Sequence, residues 1–247
     1  MSNNKKSILC VIPARSGSTR IKNKNLTKLG GKSLVKLAYD TAIESEVFTR
    51  VVVSTDKKEM ADGHPWVKRP DNISGAMADI SDATADALRQ CEIQDSCIYD
   101  YVATLQPAVP VRTAKIIRQL YSRVVENNCL GGVTGVEVVP WLWLQENGKA
   151  KNSWYPSDYP RSQEFKGISH WQEVNSVQIA SRDVVLNGNR WGVPLAIEIM
   201  PSYAVIDIDD QEDLDRAQVI FPYIMKALEL DEYSKGFVLS EINGISK

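Results

Sequence analysis

Short runs of apolar residues alternate along this chain with segments of helical periodicity, and this alternation limits the folds open to it. The runs ILCVI (8–12), RVVVST (50–55) and DYVATLQ (100–106) are largely apolar rather than alternating, which is typical of parallel strands buried on both faces. From Leu34 and again from Ile116, apolar residues recur at helical spacing. The order strand, helix, strand, helix requires right-handed crossovers.

The sequence therefore predicts an α/β fold with a doubly wound, mostly parallel sheet. GGVTGVEVV (131–139) predicts a further strand, LAIEIM (195–200) and AVIDID (204–209) predict two more, and a long C-terminal helix follows. A chain of 247 residues is long enough for one large domain. We expect a single domain over residues 1–247.

Residues 141–192 break this pattern. Five of the six tryptophans lie there, among polar and loop-forming residues. The stretch is too irregular for a βαβ unit and too aromatic for a linker. We predict an inserted lobe or arm that covers a site or makes a dimer contact, with simple local packing as the alternative.

Charge, hydropathy and cysteine usage exclude several classes of protein. The formal net charge of −2 argues against a nucleic-acid binder. No apolar run approaches the ~18 residues of a membrane span, and the apolar stretch after Lys6 is shorter than the roughly 7–15 residues of a signal-peptide core. Four cysteines without a CxxC pair predict reduced thiols in a cytoplasmic protein.

The loop after the first strand concentrates positive charge. Residues 11–34, VIPARSGSTRIKNKNLTKLGGKSL, hold six lysines or arginines and no acid. Ligands of open α/β sheets bind beyond the carboxyl ends of the strands, so this loop is expected at the rim of a site. Gly17 lets backbone amides turn toward an anion. The side-chain donors are Arg15, Ser18, Arg20, Lys22 and Lys24. A triphosphate fits this density of charge; a solvated basic loop is the alternative.

Two common phosphate-binding motifs are absent. GGKS (30–33) ends like a Walker A motif, but that motif requires a glycine five residues before Gly31, where this chain has Leu26. GxGxxG is missing as well. Neither a phosphate-loop ATPase nor a dinucleotide-binding protein is expected.

Two aspartates near the C-terminus are candidate metal ligands. Asp207 and Asp209 are two apart on a predicted strand and therefore point to the same face. Two carboxylates with no basic residue between them suit Mg²⁺. The alternative is a pair of surface acids at the start of the last helix.

Four stretches together resemble the CMP–sugar-acid synthetases, the cytidylyltransferases that activate sialic acids and related acids. IPARSGSTRIKNKNL (12–26) resembles their nucleotide-binding loop, and VVVSTD (51–56) their second strand with its end. LQPAVPVRT (105–113) resembles the stretch along the nucleotide, and IDIDDQEDL (206–214) the metal-binding end. The four follow the family's order over nearly the whole chain.

The resemblance implies a nucleotide-diphospho-sugar transferase-like fold with a dimerisation arm, and a homodimer. It implies transfer of CMP from CTP to the anomeric hydroxyl of a sialic-acid-like 2-keto sugar acid, with release of pyrophosphate. The implied nucleotide-binding residues are Ala14, Arg15, Gly17, Ser18, Arg20, Lys24 and Asn25. The implied Mg²⁺ ligands are Asp207 and Asp209, and direct roles in the reaction go to Arg15, Lys24 and Asp209. The implied acceptor contacts are Gln106, Arg112, Arg161, Gln163 and Asn175.

Some positions depart from the sialate pattern and keep alternatives open. Thr19–Arg20 replaces the usual Lys-Gly and is closer to the Kdo synthetases, and EVNS (173–176) replaces R-x-N-G. The alternatives are a Kdo-type synthetase, a non-catalytic CTP-binding relative, and a glycosyltransferase that uses Asp207-Ile208-Asp209 as a D-x-D motif. The departures concern the identity of the sugar more than the reaction.

Overall fold

The computed structural model describes residues 6–75, 77–138, 143–152, 171–230 and 235–241. The strands within these ranges are β1 Ile8–Pro13, β2 Lys28–Leu29, β3 Lys32–Ser33, β4 Arg50–Thr55, β5 Trp66–Lys68, β6 Tyr101–Thr104, β7 Gly131–Glu137, β8 Trp143–Glu146, β9 Lys149–Asn152, β10 Trp171–Ser181, β11 Leu195–Met200 and β12 Lys235–Leu239. The α-helices are α1 Leu34–Ser45, α2 Ile80–Asp95, α3 Ala114–Glu126, α4 Arg182–Leu186 and α5 Gln211–Leu230.

Eight of the described strands form one sheet in the order β12-β11-β7-β10-β6-β1-β4-β5. Four pairings are parallel, namely β1 with β4, β1 with β6, β4 with β5 and β7 with β11. β10 runs antiparallel to β6 and β7, and β12 runs antiparallel to β11. The predicted α/β fold with a mostly parallel, doubly wound sheet is confirmed.

The first strand shows why its sequence is apolar throughout. Ile8, Cys10 and Ile12 pack into the layer that contains α1 and α3. Leu9 and Val11 pack into the opposite layer, with α2 and α4. Because successive side chains of a strand point to opposite faces, a strand covered on both sides must be apolar at every position.

The GGKS stretch forms a hairpin turn and not a phosphate loop. Gly30 and Gly31 connect β2 to β3 with φ angles of 57° and 85°, a region that suits glycine. Ser33 then caps α1, since its hydroxyl accepts a hydrogen bond from the backbone N–H of Lys36 at 3.0 Å. The stretch thus ends the basic loop and starts the first helix.

The predicted strand over AVIDID is wrong. After β11 the chain turns at Pro201, and residues 205–209 pair with no strand in the described part of the chain. Instead, the backbone N–H of Ile208 donates to the oxygen of Ala108, a loop residue, at 2.8 Å. Burial still alternates along this extended segment, with Ile206 and Ile208 inside. Asp207 and Asp209 therefore share the outer side, as predicted.

The predicted lobe over residues 141–192 is only partly separate from the sheet. β8 and β9 form their own two-stranded sheet. β10 lies in the middle of the main sheet, where Trp171 pairs with Glu137 of β7. The C-terminal limit of the lobe is therefore corrected from residue 192 to the start of β10. Residues 153–170, with the predicted acceptor contacts Arg161 and Gln163, lie outside the described residues.

The C-terminal helix α5 confirms the predicted helical periodicity and covers one end of the sheet. Its buried residues are Leu214, Ala217, Phe221, Ile224 and Leu228. They pack with the extended segment at 206–208 and with Leu34 of α1. Among the helices that the structure describes, none has both the length and the hydropathy of a membrane span.

Candidate active site

The basic loop between β1 and β2 is anchored to the body of the protein. Asp56, just after β4, accepts hydrogen bonds from the backbone N–H of Ser16, at 2.7 Å, and from its hydroxyl. Burial alone would raise the pKa of Asp56, but its hydrogen bonds, first of all those from Ser16, and the charge of Arg69 together hold that pKa below its usual value. The buried Asn25 donates to the oxygen of Arg15 at 3.0 Å. These contacts argue against a freely solvated loop.

A cavity of about 230 Å³ opens beside this loop, where β1 and β6 end. Its lining comes from four parts of the sequence that are far apart. Its polar side chains include Arg15, Ser18, Arg20, Lys24, Asn25, Arg69, Gln106 and Asp209. All of these except Arg69 are residues that the sequence singled out.

Asp209 lies between two cationic side chains at the cavity wall. Its Oδ1 is 3.3 Å from Nη2 of Arg20 and 3.3 Å from Nζ of Lys24. Lys24 also donates to the backbone oxygen of Ile208 at 2.8 Å. The backbone N–H of Asp209 donates to Asp213 at 3.0 Å, at the start of α5. The helix start thus fixes the position of the acid, and the basic loop neutralises it.

Asp207 lies near Asp209 without lining the cavity. Desolvation, followed by the charge of Asp209, raises the pKa of Asp207. A divalent cation would relieve this repulsion between two carboxylates. The described residues contain no group of three or more His, Cys, Asp or Glu side chains suited to a metal. The candidate protein ligands here are therefore the two carboxylates of Asp207 and Asp209. Mg²⁺ commonly takes one or two carboxylates together with substrate phosphates and water, and this pair fits that pattern.

Arg69 is a site residue that the sequence analysis missed. It is almost fully buried, and it donates through Nε to the hydroxyl of Ser54 at 3.2 Å and through Nη2 to the backbone oxygen of Ser54 at 2.8 Å. Burial lowers the pKa of Arg69 to about 10, so its guanidinium is charged at neutral pH. The signal was present, because Arg69 directly follows β5, whose carboxyl end meets the same edge of the sheet.

Ala14 and Gly17 belong to the basic loop but do not line the cavity. Ala14 is buried, and its N–H donates to the oxygen of Ser54 at 2.9 Å. Gly17 directly precedes Ser18, which does line the cavity. Both residues therefore contribute to the course of the loop.

Arg112 lies beneath the cavity and does not line it. The side chain is fully buried, and its Nη2 donates to the backbone oxygens of Gln106 and Val109. Its Nε donates to the hydroxyl of Ser176 in β10 at 3.4 Å. The predicted direct contact between Arg112 and the acceptor does not fit this position. Arg112 instead supports the loop that carries Gln106.

Asn175 is also separate from the main cavity. Its Oδ1 accepts a hydrogen bond from Nη2 of Arg190 at 2.7 Å. Arg190 lines a second, smaller hollow, and Ile80 lines both that hollow and the main cavity. Gln106 and Asn175, both predicted to contact the acceptor, are therefore associated with two neighbouring spaces.

A comparison with known protein families gives one match that covers most of the candidate site. The cytidylyltransferase family model matches residues 9–139, a range that contains the basic loop, Arg69 and Gln106. This chain belongs to the cytidylyltransferase family. It is therefore a nucleotidyltransferase, and the cavity beside the basic loop is the candidate active site of this cytidylyltransferase.

Three individual proteins show what this chain is similar to within and beyond the family match. The cytidylyltransferase is 27% identical over 225 residues to a pseudaminic acid cytidylyltransferase of Campylobacter jejuni subsp. jejuni serotype O:23/36 (strain 81-176), covering 86% of this chain and 95% of that one. It is 34% identical over 140 residues to the CMP-N,N′-diacetyllegionaminic acid synthase of Legionella pneumophila, covering 54% and 58%. A solved CMP:2-keto-3-deoxy-manno-octonic acid synthetase complexed with CTP shares the fold, with a TM-score of 0.63 at 17% identity over 88% and 99% of the two chains.

Proposed function

We propose that this cytidylyltransferase transfers CMP from CTP to the anomeric hydroxyl of a nonulosonate, a sialic-acid-like 2-keto sugar acid, and releases pyrophosphate. One observation carries the proposal, namely the convergence of four cationic side chains and one carboxylate on a single cavity. These residues are Arg15, Arg20, Lys24, Arg69 and Asp209. The names of the relatives, which act on pseudaminic and legionaminic acids, support the choice of acceptor.

The reaction makes one bond to phosphorus and breaks another. The anomeric oxygen of the acceptor attacks the α-phosphorus of CTP, the bond to the α,β-bridging oxygen breaks, and the hydroxyl proton passes to solvent. Negative charge accumulates on the departing pyrophosphate. Arg15 and Lys24 hold the triphosphate and stabilise that charge, with Arg20 and Arg69 beside them. The protein thus acts through positioning and preorganised charge.

Asp207 and Asp209 would hold a Mg²⁺ ion that enters with the nucleotide. When bound, this ion supplies Lewis-acid neutralisation of phosphate charge. Desolvation and then the charge of Asp209 raise the pKa of Asp207, and a cation held beside both carboxylates would favour its ionised form. Gln106, whose backbone Arg112 holds in place, lies on the acceptor side of the cavity in this proposal.

The same proposal includes a homodimer in the cytoplasm. The β8–β9 sheet is separate from the main sheet and is a candidate element for a contact between subunits. Cys10, Cys91, Cys97 and Cys129 are free thiols, as in a reducing compartment.

Pyrophosphate release tests the proposed function directly. Purified protein is incubated with CTP, Mg²⁺ and one of four acids: N-acetylneuraminate, a legionaminate-type acid, a pseudaminate-type acid or Kdo. We expect release with a nonulosonate and CTP, and none with ATP, GTP or UTP. Release with Kdo alone would favour the Kdo-type alternative. No release with any acid, together with a CTP-induced rise in melting temperature, would favour the non-catalytic alternative.

A further inference from the structure

The second hollow adjoins the main cavity, and six of its ten lining residues are polar. They come from α2, β6, β10 and the segment after α4: Ser81, Thr84, Thr104, Gln178, Asn189 and Arg190. Its free volume is about 10 Å³, which is close to the space that one water molecule occupies. The hollow therefore has room for one small polar group and not for a sugar ring.

Arg190 lines this hollow and has one unused hydrogen-bond donor. Its Nη2 is engaged by Asn175 at 2.7 Å. Its Nε is buried and has no hydrogen-bond partner within the described ranges. A buried donor without an acceptor is costly, so a ligand oxygen that accepts from this Nε–H gains binding energy.

The acids nearest to Arg190 are engaged elsewhere. Glu173 accepts from the side-chain amide of Gln178 at 3.4 Å. Burial raises the pKa of Glu173, and the charge of Arg190 opposes this. Asp79 caps α2 by accepting from the N–H of Ser81 at 2.8 Å. These contacts leave the Nε donor of Arg190 free for a ligand.

We propose that this hollow is the subsite for one oxygen atom of the acceptor sugar acid, and that the Nε–H of Arg190 donates to that oxygen. The inference rests on the proposed function. Arg190 then contributes to specificity, because an acceptor with a hydroxyl or carbonyl oxygen here pairs the donor directly, whereas a deoxy analogue leaves it to a water molecule or unpaired and binds more weakly. Asn175 is a positioning residue that holds the guanidinium.

Kinetics of Arg190→Met test the subsite. Pyrophosphate release is measured with CTP, Mg²⁺ and the preferred acid, with Arg89→Met, an exposed arginine on α2, as the matched control. We expect the KM for the acid to rise roughly 10- to 100-fold in Arg190→Met, with the KM for CTP unchanged and the control like wild type. Arg190→Lys keeps a cation without the planar donor fork. If Arg190→Met does not fold, Arg190→Lys should show the same raised KM for the acid with an unchanged KM for CTP. An unchanged KM for the acid, or an equal rise in both KM values, overturns the subsite.

Binding separates this inference from the proposed function. The acids are titrated by calorimetry into wild type and Arg190→Met, each saturated with a non-hydrolysable CTP analogue. Weaker binding of the acid to Arg190→Met without any turnover by wild type would leave the subsite in place and refute the function. Equal binding to both proteins with normal turnover by wild type would refute the subsite alone. If wild type binds no acid, both are refuted.

Discussion

Asp209 carries a predicted role in metal binding, and its side-chain contacts contribute little to folding. Its ion pairs with Arg20 and Lys24 involve a carboxylate that is 47% exposed, and exposed ion pairs stabilise proteins only weakly. We expect Asp209→Ala to lower Mg²⁺-dependent kcat by at least about 100-fold, with little change in melting temperature. Asp215→Asn, an exposed acid on α5, is the control. Full activity of Asp209→Ala would refute its role as a metal ligand.

Single residues also show how far a sequence motif predicts a site. Ser18, Lys24 and Asn25 line the cavity as expected, because a loop that follows a parallel strand must lie at the ligand-binding edge. Arg112 was misassigned, since a motif does not reveal whether a guanidinium faces the cavity or the core. Arg190 was missed because its relation to Asn175 exists only after β10 and the segment beyond α4 are packed together.

At the scale of elements, the position of the basic loop depends on its anchor at Asp56. The pKa of Asp56 is lowered in the folded protein, so the carboxylate stabilises the fold above its unfolded pKa of about 3.9, and this contribution is lost as pH falls through the lower folded value. We expect Asp56→Asn to have a lower melting temperature than wild type at pH 7, with the difference shrinking below about pH 4. The KM for CTP should rise several-fold.

The control for this variant is Asp183→Asn, whose side chain is 88% exposed. Thermal melts at pH 3 to 8 and the KM for CTP are measured for both variants. A difference in melting temperature that does not depend on pH would show that the charge of Asp56 is not what anchors the loop.

The loop that carries Gln106 depends in the same way on Arg112. Arg112→Met removes the guanidinium that donates to the backbone oxygens of Gln106 and Val109. The oxygen of Gln106 keeps the N–H of Val109 as a donor at 3.2 Å, so the buried oxygen of Val109 loses most. We expect a loss of about 3 kcal/mol in the free energy of unfolding, measured in urea, and a lower kcat/KM at temperatures where the variant is folded. Arg216→Met, with a side chain that is 66% exposed, should change neither. Unchanged kinetics in a destabilised Arg112→Met would show that Gln106 does not depend on this support.

Elements buried on two faces were predicted well, and the segment after β11 was not. β1 and β4 were correct because burial on both faces leaves a continuous apolar run. Residues 205–209 alternate between buried and exposed, and this pattern is the same whether the neighbour is a strand or a loop such as the one at Ala108. The pattern therefore predicted which side the acids face but not the hydrogen-bonding partner.

At the scale of the whole molecule, the route of the chain allows a clean test of the dimer. β7 ends at Glu137, and its register partner Trp171 is the first residue of β10. A short β-turn can therefore replace residues 138–170 without moving either strand. We expect wild type to scatter light as a particle of twice 27.6 kDa and the deletion variant as a monomer. The variant should keep its CTP-induced rise in melting temperature, and a dimer that survives the deletion would refute the proposed contact.

The ion pairs of Asp209 have a consequence for the order in which ligands bind. Arg20 and Lys24 neutralise Asp209, and both also line the cavity proposed for the triphosphate. A nucleotide that attracts these cations releases the carboxylate for a metal ion. By thermodynamic linkage, CTP must then raise the affinity for Mg²⁺ by the same factor by which Mg²⁺ raises the affinity for CTP. In the proposed mechanism, Arg20 and Lys24 compete with the metal ion for Asp209 until the nucleotide binds, and we expect Mg²⁺ and CTP to bind cooperatively.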